Sequence, residues 1–177
     1  MTTTPTGFAT VNPVLVVREP DGLIAFLREV FGGAEHPDVR TVDIDGLLLH
    51  AELEIGGVTL TIAERKPGWP FLPQLTQVYV DDVEAVLARA VERGGRIVTR
   101  PTDFFGTVFS RVLDPWGNLW WVYQHGEAPD LDWTADDGDS AEWTDPDLAY
   151  IHRTLVDVMP SVGTDPGVGL VPGEPSR

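Results

Sequence analysis

His50 and Glu52 stand two residues apart in the run Leu48-Leu49-His50-Ala51-Glu52-Leu53. In an extended chain that spacing puts both on one face. There a carboxylate beside an imidazole can orient it as a general base. The bland alternative is a solvated strand face, because Glu54 continues the polar row while Leu49, Ala51, Leu53 and Ile55 form an apolar one. A second run, Leu119-Trp120-Trp121-Val122-Tyr123-Gln124, carries a different chemistry. Alternation sends Leu119, Trp121 and Tyr123 one way and Trp120, Val122 and Gln124 the other. A strand with an indole on each face separates two apolar spaces. One is the core, and the other is either further packing or the wall of a cavity. Flat aromatic rings bury much area with few rotatable bonds and stack on planar compounds.

Tyr79, Gln77 and Leu75 are expected to face the same way as Trp121 and Tyr123, as are Asn12 and Val14. Trp69 and Phe71, in Lys66-Pro67-Gly68-Trp69-Pro70-Phe71, and the pair Phe104-Phe105 are placed at the mouth of that space, the Phe pair with core packing as the competing role. Arg111 alternates with Phe109 and Leu113 and is expected to be drawn partly inside, to meet Asp103 in a salt bridge or an anionic ligand bidentately. The ligand-contact set is therefore Trp121, Tyr123, Tyr79, Gln77, Trp69, Phe104, Phe105, Arg111 and Asn12. His125 and His152 read as surface or packing residues.

Composition removes other chemistries. With no cysteine among 177 residues, disulfides, thiolate nucleophiles and thiolate metal sites are excluded. The net charge is −16, with 16 acids against 10 bases in residues 1–125 and 12 against 2 in residues 126–177. Such a surface repels phosphate backbones, so no nucleic-acid partner is expected. No apolar run is long enough to span a bilayer, and residues 1–13 lack the pattern of a signal peptide, which predicts a cytoplasmic protein. No Ser/His/Asp order, phosphate-cradling glycine loop or nucleotide fingerprint stands in its required context.

The elements that position these residues repeat along the chain. Leu23, Phe26, Leu27, Val30 and Phe31 mark one helix face, and Val83, Val86, Leu87, Ala90 and Val91 mark another about one module later. Each helix follows an extended apolar run (Val14 to Val17; Gln77 to Val80) and begins beside acids, Glu19 and Asp21 or Asp81 and Asp82. Each closes on a double glycine, Gly32-Gly33 or Gly94-Gly95. Three strand-like segments follow each time: 35–43, 47–55 and 58–63, then 96–102, 107–113 and 119–124. The plan is βαβββ twice, residues 9–65 and 74–125, an α+β arrangement in which two modules pair into one domain. Residues 1–8 are expected to be a flexible N-terminus. Residues 126–143 read as an acidic linker carrying Trp133 and Trp143. A helix with Thr144 as N-cap follows, with Leu148, Ile151, Leu155, Val158 and Met159 as its stripe and Pro160 as its stop. Residues 161–177 read as a disordered tail.

The double module, the strand His50-Ala51-Glu52-Leu53 and the run Arg111-Val112-Leu113-Asp114-Pro115-Trp116-Gly117 resemble the vicinal oxygen chelate superfamily, in particular its glyoxalase/bleomycin-resistance/dioxygenase type and the PhnB-like branch. The resemblance covers residues 9–125. It implies a fold that hosts metal-dependent isomerases, dioxygenases and thiol transferases as well as metal-free proteins that sequester a drug. It also implies that a homodimer is plausible. In metal-binding kin, ligands come from the first and last strands of each half. Those positions fall here on Asn12 (or Pro13), on Leu60 or Thr61, on Leu75 beside Gln74 and Gln77, and on Trp121, where kin carry a Glu. An indole offers no lone pair to a metal, so no metal and no cofactor are expected. The expectation is a metal-free small-molecule binder, of the sequestering, resistance type, for a planar or apolar compound. The alternative is a glyoxalase-like lyase or isomerase that uses His50 and Glu52, or a metal site at other positions.

Overall fold

A buried carboxylate sets the geometry of the aromatic run. In the computed structural model, which describes residues 4–126 and 145–167, the Asp114 side chain is enclosed by its own turn. Its Oδ1 accepts the backbone N–H groups of Trp116 and Asn118 at 2.9 and 2.8 Å. Its Oδ2 accepts the Asn118 amide at 2.8 Å and the Trp120 indole N–H at 3.0 Å. Asn118 then accepts the Gln74 N–H at 3.0 Å, so one turn fixes the start of two strands.

The chain divides into two units, residues 1–73 with 165–177, and residues 74–164. The first contains β1 (Val14–Val17), α1 (Pro20–Phe31), β2 (Ala34–Glu35), β3 (Thr41–Val42), β4 (Leu48–Ile55) and β5 (Val58–Glu64). Its sheet runs β1-β5-β4-β2, with β3 also on β4 and β1 parallel to β5. The second contains β6 (Leu75–Tyr79), α2 (Val83–Glu92), β7 (Arg96–Phe104), β8 (Thr107–Leu113), β9 (Leu119–Gln124) and α3 (Pro146–Val162). Its sheet runs β6-β9-β8-β7, with β6 parallel to β9. Each sheet therefore joins its first strand to its last, and the α+β plan of two βαβββ modules with a C-terminal helix is what forms.

The helices bury the stripes their periodicity demands: Leu23, Phe26, Leu27 and Val30 on α1, and Val83, Val86, Leu87 and Ala90 on α2. Gly32 closes α1 in the left-handed region at φ 71°. Asp82 caps α2 by accepting the Ala85 N–H at 2.9 Å. Leu15, Ala51, Leu53 and Ile62 face α1, while Trp120, Val122 and Val112 lie in the core of the second unit.

Six expectations change. The segment 35–43 is not one strand: Pro37 opens a 3-10 turn, Pro37–Val39, that separates β2 from β3. Leu49 is 49% exposed and Leu48 is buried instead, because the register of β3 on β4 shifts there and strict alternation does not carry through it. Val91 and Met159, assigned to apolar faces, are exposed at the margins of their helices. Asp145, not Thr144, is the N-cap of α3: it accepts the N–H groups of Asp147 and Leu148, and Thr144 lies outside the described residues. Pro160 does not stop α3, which runs to Val162, because burial of Val158 and Val162 outweighs the one backbone hydrogen bond a proline forfeits. Residues 161–167 are ordered, with Asp165 bonded to Arg65 at 2.5 Å and to Arg18 at 3.2 Å. The remainder of the expected tail, 168–177, and the acidic linker, 127–143, fall outside the described residues.

Burial pushes the Asp114 carboxyl up to about 6, against the pull of its four N–H donors. The native state therefore holds a proton between about pH 4 and 6 where an unfolded carboxyl has lost it. The stability this contributes is complete below about pH 4 and is lost as the pH rises through about 6. Asp114→Ala is expected to remove that dependence and to cost about 3 kcal/mol at neutral pH by orphaning buried donors, read from urea denaturation across pH.

Candidate ligand-binding face

The second sheet turns one face to α2. On the other, backbone register aligns Gln77, Trp121, Arg111 and Thr99 in one row across four strands. The next row holds Tyr79, Tyr123, Phe109 and Thr102. Tyr79 stacks on Tyr123 with ring centres 5.3 Å apart and an interplanar angle of 27°. Tyr123 also meets Phe109 at 4.9 Å and Phe104 at 6.4 Å, and Phe104 meets Phe105 at 5.0 Å. Seven of the nine ligand-contact candidates thus lie in this unit, and the rings of Tyr79, Tyr123, Phe109, Phe104 and Phe105 form one continuous wall. It is open at the β6 edge, where Tyr79 is 63% exposed.

Phe104 belongs to this wall, while Phe105 sits in the tight β7–β8 turn with Gly106, both at positive φ (51° and 77°). Asn12 is spent locally: its carbonyl accepts the Ala9 N–H at 3.0 Å and its amide donates to the Ala9 carbonyl at 2.6 Å. Trp69 is a half-exposed ring in a turn of the first unit, closed by Trp69 N–H donating to the Lys66 carbonyl at 3.0 Å.

Arg111 departs from expectation. It is 4% exposed and has no carboxylate partner among the described residues, so the salt bridge to Asp103 does not form. Its Nη1 donates to the Ile151 carbonyl at 2.8 Å and to the Thr99 hydroxyl at 3.1 Å, with Thr154 at 3.5 Å. Its guanidinium carbon lies 4.6 Å from the Phe109 ring centre and 5.3 Å from that of Trp121. Its Nε, also buried, has no acceptor among the described residues. Burial lowers the guanidinium to about 10. The salt bridge fails by parity: Asp103 pairs with Val108, whereas Arg111 shares its face with Phe109, so the two side chains leave the sheet on opposite sides. What lies over Arg111 is α3. Leu119, Val158 and Val162 form a small core to which Val98, Leu113, Trp121 and Leu155 are added. The helix thereby covers Arg111 and part of Trp121, whose ring is half-buried, and it supplies a neutral carbonyl where an acid was expected.

In the first unit, His50 and Glu52 lie 2.9 Å apart, imidazole Nε2 to carboxylate. Glu52 pairs in register with Thr61, and Thr61 with Val14, on the face opposite the α1 core. His50 is the more exposed of the two. His36 stands 3.8 Å from Glu54 on the same strand. The dyad is therefore formed, within a solvated polar row.

The residues at the chelating positions do not fit a divalent metal. Asn12 is occupied by Ala9, Leu60 is buried in the core, Leu75 is aliphatic, and Trp121 offers an indole. Among the described residues no three His, Asp or Glu side chains converge on a point. No helix among them is long and apolar enough to cross a membrane.

Sequence reading missed a cleft of about 820 Å³ between β7 and α3, lined by Arg100, Pro101, Asp103, Asp147, Tyr150 and Arg153 among others. Arg100 donates its backbone N–H to the Tyr150 hydroxyl at 3.0 Å, and Arg100 and Arg153 lie 5.3 and 5.6 Å from the Tyr150 ring centre. The one available signal was Arg153, a rare base in the acidic C-terminal stretch.

The family comparison fits this architecture. Residues 8–122 match the model of the Glyoxalase/Bleomycin resistance protein/Dioxygenase superfamily. The chain belongs to that family. An uncharacterized protein of Mycobacterium tuberculosis is 31% identical over 125 residues, 62% of this chain and 71% of the relative. Among solved structures, TioX from Micromonospora sp. ML1 is 26% identical with a TM-score of 0.51 over 68% of this chain and 99% of TioX. The PhnB protein from Bacillus cereus, titled a putative 3-demethylubiquinone-9 3-methyltransferase, is 12% identical with a TM-score of 0.51 over 66% of this chain and all of its own. The fosfomycin resistance protein FosX from Listeria monocytogenes is 16% identical with a TM-score of 0.50 over 65% and 91%. The family match ends at residue 122, so α3 lies beyond it.

The tyrosines give a check on this geometry. Burial raises Tyr123 above the usual phenol range, with Tyr79 adding to it. Burial alone would raise Tyr150 too, but the Arg100 donors and the guanidinium charges outweigh it and lower it. Ultraviolet titration is expected to lose its earliest phenolate step in Tyr150→Phe and its latest in Tyr123→Phe.

Proposed function

We propose that this chain is a small-molecule binding protein of its family, acting without a metal, that holds a planar, largely apolar compound against the wall formed by Trp121, Tyr123, Tyr79 and Phe104. The observation that carries this reading is the run of ring contacts from Phe104 through Phe109 and Tyr123 to the exposed Tyr79, with Trp121 joined to it through the Arg111 guanidinium. Stacking surfaces with few ionisable partners favour capture over chemistry. Sequestration of a toxic compound is the corresponding physiological use. The family's name includes resistance proteins, and FosX is a fosfomycin resistance protein, but at 16% identity that likeness speaks for the fold alone. A homodimer in the cytoplasm is consistent with this role.

One observation favours a second reading, a glyoxalase-like lyase or isomerase: the His50–Glu52 contact of 2.9 Å has the geometry of an oriented base. Its partial exposure and the polar row around it argue for a structural hydrogen bond instead.

The test uses the uncharged fluorophore N-phenyl-1-naphthylamine. It is expected to bind saturably, with quenching of Trp emission and no product, and Tyr123→Ala is expected to weaken it about tenfold, roughly one aromatic stacking partner. Absence of saturable binding would overturn the reading. A product formed by the native chain and lost in His50→Gln would establish the second one.

A further inference from the structure

We propose that Arg111 anchors a small anionic ligand with a flat apolar body, and that α3 occupies the anchor in the ligand-free chain, the Ile151 carbonyl standing where a ligand oxygen binds. The inference rests on the ligand face proposed above and adds the charge of the ligand and the control of access.

Three observations converge on it. First, the partner Arg111 has is the wrong one. A guanidinium taken out of water needs an anion or a full set of acceptors. This chain carries 28 acids against 12 bases, yet none of the described acids pairs with its most buried base. The bonds it makes run from Nη1 to neutral oxygens, and Nε, one arm of the fork that grips a carboxylate or phosphonate bidentately, has no acceptor among the described residues. Second, the surroundings suit the rest of such a ligand. Phe109 and Trp121 flank the guanidinium, and the wall continues through Tyr123 to Tyr79 at the open edge. An acid group at Arg111 would lay an attached ring system along that wall. Third, the group that covers the anchor is an addition to the family domain. The match ends at residue 122 and α3 begins at Pro146. The helix holds the face through Leu155, Val158 and Val162 and reaches Arg111 through the Ile151 carbonyl and the Thr154 hydroxyl.

A neutral carbonyl is the weaker partner for a buried cation. An anion that binds only the uncovered state shifts the population toward it, and its apparent affinity is reduced by the fraction of chains in which α3 is docked. The helix is thus a built-in competitor, which sets a threshold concentration for capture.

The experiment compares two probes on the full-length chain: 1-anilinonaphthalene-8-sulfonate and N-phenyl-1-naphthylamine, which differ by the sulfonate. The sulfonate is expected to bind at least tenfold more tightly, a preference erased by Arg111→Met and partly kept by Arg111→Lys. The chain has no cysteine, and the Thr99 and Thr154 hydroxyls lie 2.7 Å apart. The double variant Thr99→Cys/Thr154→Cys is therefore placed to tie α3 to β7 on oxidation. Oxidation is expected to weaken sulfonate binding at least tenfold and reductant to restore it, with a cooperative thermal transition in both states showing that the protein stays folded. Equal sulfonate binding by the oxidised and reduced forms, or an undiminished preference in Arg111→Met, overturns the proposal. If the uncharged probe still binds in those cases, the ligand face stands without the anchor. If neither probe binds, the face itself is lost.

Discussion

The aromatic sheet depends on one buried carboxylate. Asp114 gathers two backbone amides, an asparagine amide and an indole, and through Asn118 it reaches the strand that enters from Gln74. Desolvating an ion is costly, and only a full set of directed donors makes the arrangement tenable. Directed donors fix position in a way that apolar packing does not. The Trp120 indole is held to Oδ2, which commits that residue to the core face of β9. Trp121 is thereby committed to the other face, since a strand allows no third choice.

From that commitment the remainder of the face follows by register. The parallel pairing of β6 with β9 brings Gln77 beside Trp121 and Tyr79 beside Tyr123, and the antiparallel pairing of β8 adds Arg111 and Phe109. Two of these rows act differently. The row through Tyr123 is bound by ring contacts and reaches solvent. The row through Arg111 is closed by a helix whose own contribution is a carbonyl and a hydroxyl. The face is a place where stacking is satisfied and charge is not.

Much of this was legible in the residues. Periodicity of 3.6 gave α1 and α2 their faces, alternation separated Trp120 from Trp121, and the recurrence of the whole pattern gave the double module. That Gln77 and Tyr79 share a face with Trp121 and Tyr123 was legible because sheet faces are a matter of parity. What could not be read were contacts between segments far apart in sequence. That α3 lies over Arg111 depends on where a helix docks, and an amphipathic stripe says only that it docks somewhere. Asn12 looked available because its bond to Ala9 is a turn closure with no distinctive spacing. Leu48 and Leu49 exchanged roles because a shift in register leaves no mark in composition.

The two sheets share a strand order and a parallel closing pair, yet the faces they turn away from α1 and α2 have nothing chemical in common: Val14, Thr61 and Glu52 align in one, Gln77, Trp121 and Arg111 in the other. A scaffold that repeats its backbone while its outward residues diverge has separated what makes it fold from what makes it selective. Substitutions on the selective side leave Leu15, Ala51 and Ile62, or Val112 and Val122, untouched. Under the proposed function, such a protein can drift from one cargo to the next through foldable intermediates, and its lineage can diversify faster in taste than in shape.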